Sequence, residues 1–304
     1  MTRLSANDLT LGYQRQVIMR ELSLALPESR ISVLIGANGC GKSTLLKALA
    51  RLLTPWQGQV MLDGDDIHHQ PTRRVARTLS LLPQHPVAPE GITVRQLVSL
   101  GRHPHQSWLA QWSEEDERQV ELALMRTDLT AQAHRSVDTL SGGQRQRAWI
   151  AMAVAQDTPL MLLDEPTSFL DLTHQMEVLE LLKSLNRESG KTIVMVLHDL
   201  NLACRYADHI VALRDGAIVA QGAPQAVVTR ERVKDIFQLE CRIIEDPFFH
   251  TPLCIPFGPG SRSVGGESGL SGQGAPSMQT TESSSQQNMH TGSKHVTAGW
   301  EIDG

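Results

Sequence analysis

Short apolar runs recur along the chain and alternate with segments whose apolar residues follow a helical spacing. The clearest runs cover residues 31–35, 160–163 and 192–197. Runs of this length with little polar alternation are typical of parallel strands that are buried on both faces of a sheet. The pattern therefore predicts an α/β fold around a mostly parallel sheet.

The N-terminal segment has a different pattern. Residues 9–11 and 22–26 are apolar and flank a polar turn at residues 13–16, which predicts an antiparallel β region. Further strands are expected at residues 59–64, 79–84, 210–213 and 217–219, the last two as a hairpin.

A stretch in the middle of the chain is predicted to be helical and to interrupt the α/β pattern. Thr93, Ser113 and Ser141 each precede a helical pattern and are residue types that cap helix N-termini. After this stretch, helices are expected at residues 175–185 and 224–237. The expected domains are a core at 1–84 and 158–257, an inserted helical subdomain at 85–157, and a Gly-, Ser- and Gln-rich disordered tail at 258–304.

The composition narrows the possible functions. A net charge of -5 over 304 residues lacks the basic excess that is typical of nucleic-acid binding. The four cysteines form no C-x-x-C pair, and the first residues lack the apolar core of a secretory signal. No apolar run reaches the roughly 20 residues that span a bilayer. We therefore expect a cytoplasmic chain that does not bind nucleic acid.

Residues 36–44 form the most informative motif in the chain. Their sequence, GANGCGKST, follows a predicted strand and precedes a helical pattern, which is the context and spacing of a P-loop. Its glycines let successive backbone N–H groups surround an anion, and the positive end of the following helix points at the same anion. A glycine turn before an ordinary helix is the alternative, and the Lys42-Ser43 pair argues against it. The predicted nucleotide-binding residues are Gly36, Asn38, Gly39, Cys40, Gly41, Lys42, Ser43 and Thr44.

Polar residues follow three other predicted strands at the same edge of the sheet, namely Gln84, Asp164-Glu165 and His198. Two adjacent carboxylates at the exit of a buried strand are costly unless they meet a cation. Asp164 is therefore placed to hold Mg²⁺ with the Ser43 hydroxyl, and Glu165 to orient or activate a water. The constellation predicts a magnesium–nucleotide site for phosphoryl transfer.

Two further features suit contact with a nucleotide. Tyr13 precedes the P-loop, and stacking on an adenine ring or packing at a strand end fits its position equally well. Residues 140–144, LSGGQ, place an N-cap serine and glycine N–H groups at the start of a helix, which is a second anion-binding arrangement. A capped helix with a flexible entry fits the same residues, so both alternatives stay open at this point.

The order of these motifs resembles the ATP-binding subunits of ABC transporters over about residues 5–255. The matches are Walker A at 36–44, the Q-loop at Gln84, the signature at 140–144, Walker B at 160–165, the D-loop at 168–171 and the switch histidine at His198. The resemblance implies Mg²⁺ coordination by Ser43, Gln84 and Asp164, catalysis by Glu165 with Gln84 and His198, and adenine stacking by Tyr13.

The same resemblance implies a head-to-tail dimer, in which Ser141, Gly143 and Gln144 touch the γ-phosphate of the ATP bound to the other copy. This would explain why the chain has two anion-binding motifs and one complete phosphate loop. The implied partners are a second copy, two membrane-spanning permease subunits and, indirectly, a periplasmic or surface substrate-binding protein. The implied location is the cytoplasmic face of the bacterial inner membrane, as a peripheral protein.

Residues 101–105, GRHPH, and 197–203, LHDLNLA, are similar to importer ATPases for iron chelates, which implies uptake of a ferric siderophore. No third ligand accompanies His103 and His105, so no metal site is expected there. The alternatives are an importer for haem, cobalamin or another metal chelate, an exporter ATPase, or a soluble ABC ATPase in cluster assembly or repair. Repair types carry a coiled-coil insertion before the signature, and this sequence has none.

Overall fold

The computed structural model describes residues 3–106, 112–168 and 170–257. The predicted disordered tail and Phe169 of the D-loop lie outside the described residues. The strands are β1 (Leu4–Tyr13), β2 (Gln16–Leu26), β3 (Ile31–Gly36), β4 (Gln57–Leu62), β5 (Asp65–Asp66), β6 (Leu79–Leu82), β7 (Leu160–Leu163), β8 (Thr192–Val196), β9 (His209–Arg214), β10 (Ala217–Gly222), β11 (Cys241–Glu245) and β12 (Pro252–Pro256). The helices are α1 (Lys42–Leu49), α2 (Thr72–Thr78), α3 (Val94–Leu100), α4 (Glu114–Arg126), α5 (Gly142–Ala155), α6 (Leu172–Ser189), α7 (Leu200–Tyr206), α8 (Pro224–Val227) and α9 (Arg230–Phe237), with short 3-10 helices at Thr130–Gln132 and Val137–Thr139.

The central sheet has the strand order β10-β9-β3-β8-β7-β6 within the described ranges. Its neighbours pair in parallel, except that β10 and β9 form the predicted antiparallel hairpin. Strands β3, β7 and β8 are buried along their whole length, as expected for strands covered on both faces. The prediction of an α/β fold with a mostly parallel sheet is confirmed.

Apolar side chains on the two faces of this sheet enter two separate cores. Val33 of β3 packs in the core that contains the inner faces of α5, α6 and α7. Its neighbour Leu34 packs in the core that contains α1 and the N-terminal sheet. Because both faces of β3 are packed, the loop that follows it starts from a fixed position at the carboxyl edge of the sheet.

The second sheet, in the order β2-β1-β4-β5, is antiparallel throughout. This confirms the predicted N-terminal antiparallel β region. The turn is shorter than the predicted 13–16, because Tyr13 pairs with Gln16 and only two residues connect the strands. Gln14 in this turn takes a positive φ of 53°, which suits the tight hairpin turns that match the twist of the strands.

Helices α3, α4 and α5 lie between β6 and β7, in the stretch predicted to be helical. The predicted N-caps Thr93, Ser113 and Ser141 are confirmed, and each forms a capping box with the residue three positions later. Gly101 follows α3 and lies against α5, where a Cβ would come 2.2 Å from the carbonyl oxygen of Met152. The close approach to α5 therefore requires glycine at residue 101, the first residue of the GRHPH segment.

A buried ion pair joins the three helices of this stretch. Arg102 donates from Nε to Asp116 Oδ1 at 2.9 Å and from its guanidinium to the carbonyl of Ala155 at 2.8 Å. Both side chains of the pair are buried. Hydrogen bonds from Arg102 and Ser113 hold the pKa of Asp116 below its ordinary value, although burial acts in the opposite direction.

The C-terminal part of the described chain departs from the prediction. Residues 224–237 form two helices rather than one, since the Thr229 hydroxyl accepts from the backbone N–H of Arg232 and caps α9. Strands β11 and β12 form a hairpin that the sequence pattern did not predict, and Asn201 of α7 exchanges two hydrogen bonds with Cys254 of β12. In the described ranges, no helix has the length and apolarity needed to cross a membrane.

Candidate nucleotide-binding site

The P-loop connects β3 to α1 and depends on glycine at two strained positions. Gly36 has a φ of 150°, and a Cβ there would come 2.3 Å from the carbonyl oxygen of Leu213. Gly41 precedes the first residue of α1 with a φ of 103°, and a Cβ there would meet the methyl group of Met19 at 2.4 Å. Only glycine fits both positions without displacing its neighbours.

The Lys42 side chain curls back over this loop. Its Nζ donates to the carbonyl oxygens of Gly36 at 2.8 Å and Ala37 at 3.0 Å, and the side chain is buried. Cys40 Sγ lies 3.9 Å from the same Nζ, on the inner side of the loop. The ammonium group is thus held beside the loop, at the place where phosphate oxygens would replace its carbonyl partners.

Asp164 follows β7 and faces the first turn of α1. The Ser43 hydroxyl donates to Asp164 Oδ1 at 2.9 Å. Burial raises the pKa of Asp164, and the negative charge of Glu165 adds to this effect while the Ser43 hydrogen bond opposes it. A carboxylate in this position gains from a nearby cation.

The oxygen donors at this point fit Mg²⁺. Within residues 3–106, 112–168 and 170–257, no three His, Cys, Asp or Glu side chains are grouped to hold a metal ion. Mg²⁺ typically uses one or two carboxylates together with substrate phosphates and waters, rather than a cage of protein ligands. The Ser43 hydroxyl and the Asp164 carboxylate match that requirement.

Glu165 is held by three partners. Its carboxylate lies 2.7 Å from His198 Nε2 and accepts from the Ser168 hydroxyl at 2.8 Å, and Gln84 contributes a further hydrogen bond. Burial alone would raise the pKa of Glu165, but these hydrogen bonds outweigh it and hold the pKa below its ordinary value.

The two neighbouring carboxyl groups therefore have pKa values displaced in opposite directions. Such a separation is typical of sites where adjacent acids have different chemical roles. Glu165 also has a positive φ of 54°, a conformation that costs energy for a residue other than glycine. The carboxylate on this strained backbone contacts His198 Nε2 at 2.7 Å.

The structure brings most of the predicted site residues into one cavity of about 190 Å³. The predicted residues that line it are Asn38, Gly39, Gly41, Lys42, Ser43, Thr44, Glu165 and His198. Gln84 and Asp164 line an adjacent cavity of about 240 Å³. Gly36 and Cys40 are buried beneath the loop instead. Ile18 of β2 also lines the first cavity; the sequence pattern missed it, because it looks like an ordinary strand residue.

Tyr13 and the LSGGQ residues lie elsewhere. Tyr13 is 43% exposed at the end of β1 and does not line the cavity. Ser141 is exposed and Gln144 is half-buried at the start of α5, where each side chain hydrogen-bonds to the backbone N–H group of the other residue. Neither they nor Gly143 line the cavity. Within one chain, the LSGGQ motif therefore lies outside the P-loop cavity.

Comparison with known proteins identifies the family. Residues 19–168 match the ABC transporter domain family. The achromobactin transport ATP-binding protein CbrD of Dickeya dadantii is 63% identical over 258 residues, which cover 85% of this chain and 96% of CbrD. The ferric enterobactin transport ATP-binding protein FepC of Escherichia coli is 53% identical, over 85% of this chain and 95% of FepC.

A solved structure supports the same assignment. The dimeric post-hydrolysis state of the ATP-binding cassette MJ0796, with ADP and phosphate bound, superimposes with a TM-score of 0.64 at 28% identity. The match covers 72% of this chain and 98% of that cassette. The parallel sheet, the P-loop and the paired carboxylates described above thus belong to a known architecture, and the chain is a member of the ABC transporter family, as one of its ATP-hydrolysing ATP-binding subunits.

Proposed function

We propose that this chain hydrolyses ATP to power the import of a ferric siderophore through an ABC importer in the bacterial inner membrane. The substrate class rests on its relatives, since CbrD is named for achromobactin transport and FepC for ferric enterobactin transport. The observation that supports the chemistry is the grouping of Lys42, Ser43, Glu165 and His198 around one cavity at the end of the sheet.

ATP binding would begin with the phosphates entering the P-loop. The loop N–H groups and the N-terminus of α1 would surround the β- and γ-phosphates. Lys42 would then exchange the carbonyl oxygens of Gly36 and Ala37 for phosphate oxygens, which form stronger charge-assisted hydrogen bonds. Ser43, Asp164 and Gln84 would hold Mg²⁺, which neutralises phosphate charge when it is bound.

Hydrolysis needs an ionised base beside the attacking water. The lowered pKa of Glu165 keeps its carboxylate ionised at neutral pH, so it is suited to orient the water and to accept its proton. His198 fixes one carboxylate oxygen and Ser168 the other. With both oxygens held, the carboxylate loses little rotational freedom when the water binds.

The second anion-binding motif supports a head-to-tail dimer. Ser141, Gly143 and Gln144 stand outside the cavity that contains the P-loop, so a second copy would have to bring its ATP to them. The remaining proposed partners are two membrane-spanning permease subunits and, through them, a substrate-binding protein. The chain would then lie on the cytoplasmic face as a peripheral subunit, and closure of the dimer on ATP would move the permeases.

Growth on single iron chelates tests this proposal. A strain that lacks the gene should fail to grow on at least one ferric siderophore as its sole iron source, and the wild-type chain should restore growth. The Glu165→Gln variant, expressed at the same level, should not restore it. Normal growth of the deletion strain on ferric siderophores, combined with loss of haem or cobalamin use, would contradict the proposed substrate. Co-purification with a soluble scaffold instead of a permease would contradict the importer.

A further inference from the structure

The ring of His174 occupies the space beside Gly143, the second glycine of the LSGGQ motif. A Cβ built on Gly143 would lie 2.4 Å from Cδ2, 2.7 Å from Cγ and 3.0 Å from Nε2 of His174. Separations of this size are far below van der Waals contact. The start of α5 therefore rests directly on a side chain of α6, and residue 143 has room for no side chain while the ring stays in place.

The His174 ring is held in this position by Asp171, which caps α6. Asp171 Oδ1 accepts from the backbone N–H of His174 at 2.9 Å and lies 2.7 Å from its ring Nδ1. The hydrogen bonds from the His174 backbone and ring hold the pKa of Asp171 below its ordinary value. Because the ring is anchored at one end, it cannot swing away from Gly143 without losing this contact.

A residue of the loop before α6 contacts the Glu165 carboxylate. Ser168, three positions before Asp171, donates to Glu165 at 2.8 Å. Ser168 therefore contacts Glu165, and His174, six positions later, contacts Gly143 at the start of α5. The contact of Asp171 and His174 with Gly143 has no part in the P-loop chemistry described above.

We propose that His174 is a positioning residue for ATP hydrolysis. Its ring, anchored by Asp171, fixes the position of the N-terminus of α5, the helix that begins in the LSGGQ signature. It thereby fixes where the N–H groups of Gly143 and Gln144 meet the γ-phosphate bound to the partner. The inference rests on the proposed head-to-tail dimer. It explains the need for glycine at residue 143 by the contact with the His174 ring within the chain, and not only by contact with the nucleotide.

A size-swap experiment on the full chain tests this role. Gly143→Ala should collide with the ring and lower kcat by about tenfold or more, the cost expected of overpacking in a held contact. His174→Ala should lower kcat by about fivefold and raise KM, because the N-terminus of α5 is then no longer held in position by the ring. The double variant should recover to the level of His174→Ala, since the new methyl group then enters the space that the ring has left. His134→Ala, which removes an exposed histidine of the helical stretch, should behave as wild type.

Two further measurements separate the outcomes. Binding of a fluorescent ATP analogue to the monomer should be equal in all variants, since the P-loop is untouched. ATP-dependent dimerisation in a Glu165→Gln background should weaken in His174→Ala and Gly143→Ala and recover in the double variant relative to Gly143→Ala. A double variant as inactive as Gly143→Ala, or His174→Ala with wild-type kcat and KM, would overturn the inference. If the Glu165→Gln chain with His174 intact forms no ATP-dependent dimer, the proposed dimer itself fails.

Discussion

Replacing Glu165 with glutamine isolates the role of a single negative charge. The amide keeps the size of the carboxylate, and one end of it still accepts from Ser168, so the contacts that place the side chain are largely preserved. What is lost is the ability to take a proton from water. A positioned general base is worth about 10²–10⁴-fold in rate, which corresponds to about 3–5 kcal/mol at about 1.36 kcal/mol per factor of ten.

The same substitution should not weaken ATP binding. The negative charge of Glu165 contributes to the raised pKa of Asp164, so its removal favours the ionised form of Asp164 beside Ser43. The Glu165→Gln chain should therefore bind ATP at least as tightly as wild type while kcat falls by about 10²–10⁴-fold. Because ATP then persists, the dimer should accumulate.

Three measurements check this prediction. Phosphate release at saturating ATP and Mg²⁺ gives kcat, a fluorescent ATP analogue gives affinity, and size-exclusion chromatography with and without ATP reports the dimer. Glu188→Gln, which changes an exposed glutamate near the end of α6, serves as the matched control and should leave all three unchanged. A Glu165→Gln kcat within about threefold of wild type, a loss far below that of a general base, would refute the catalytic assignment.

The remaining predictions address the dimer, the helical stretch and pH. Ser141→Arg and Lys42→Ala should each lack ATPase activity alone. An equimolar mixture of the two variants should recover about a quarter of wild-type activity, because about half the dimers then contain one intact site out of two. A mixture that stays inactive would contradict head-to-tail pairing. Arg102→Met should lower the free energy of unfolding by about 3–5 kcal/mol in urea titrations, since it leaves Asp116 buried without its partner; a loss under about 1 kcal/mol would show that the pair is not buried in solution. Burial lowers the pKa of His209 from 6.5, so the unfolded chain binds a proton that the folded chain resists, and the free energy of unfolding should fall as pH drops below about 6.5. His209→Phe should flatten that dependence in urea titrations at pH 7.5 and 5.5, and an unchanged slope would contradict the assignment.

Much of the fold follows from local patterns that the sequence displays directly. β3, β7 and β8 are mostly apolar because parallel strands are covered on both faces. The capping serines and threonine mark helix starts through bonds that involve only neighbouring residues. The P-loop is recognisable for the same reason, since its glycines and lysine act within a few residues of each other.

Features that depend on distant contacts were not predictable. The β11–β12 hairpin is stabilised by Asn201, which is far from Cys254 in the sequence. The contact between Glu165 and His198 requires two strand exits to meet, and the sequence could assign each residue a role without specifying their contact. Ile18 lines the cavity only because the N-terminal sheet packs beside the P-loop. His174 had no motif of its own, and its importance emerges only from the space it fills beside Gly143.

Uptake by the assembled transporter tests the central claim most directly. The chain, its permease subunits and the substrate-binding protein would be reconstituted in proteoliposomes, and radio-iron delivered as a ferric siderophore would be followed across the membrane with ATP on the side of the chain. We expect ATP-dependent accumulation of iron with the wild-type chain and none with Glu165→Gln. Equal iron accumulation by the wild-type and Glu165→Gln transporters, or ATP hydrolysis with no transport of any ferric siderophore, would contradict the account.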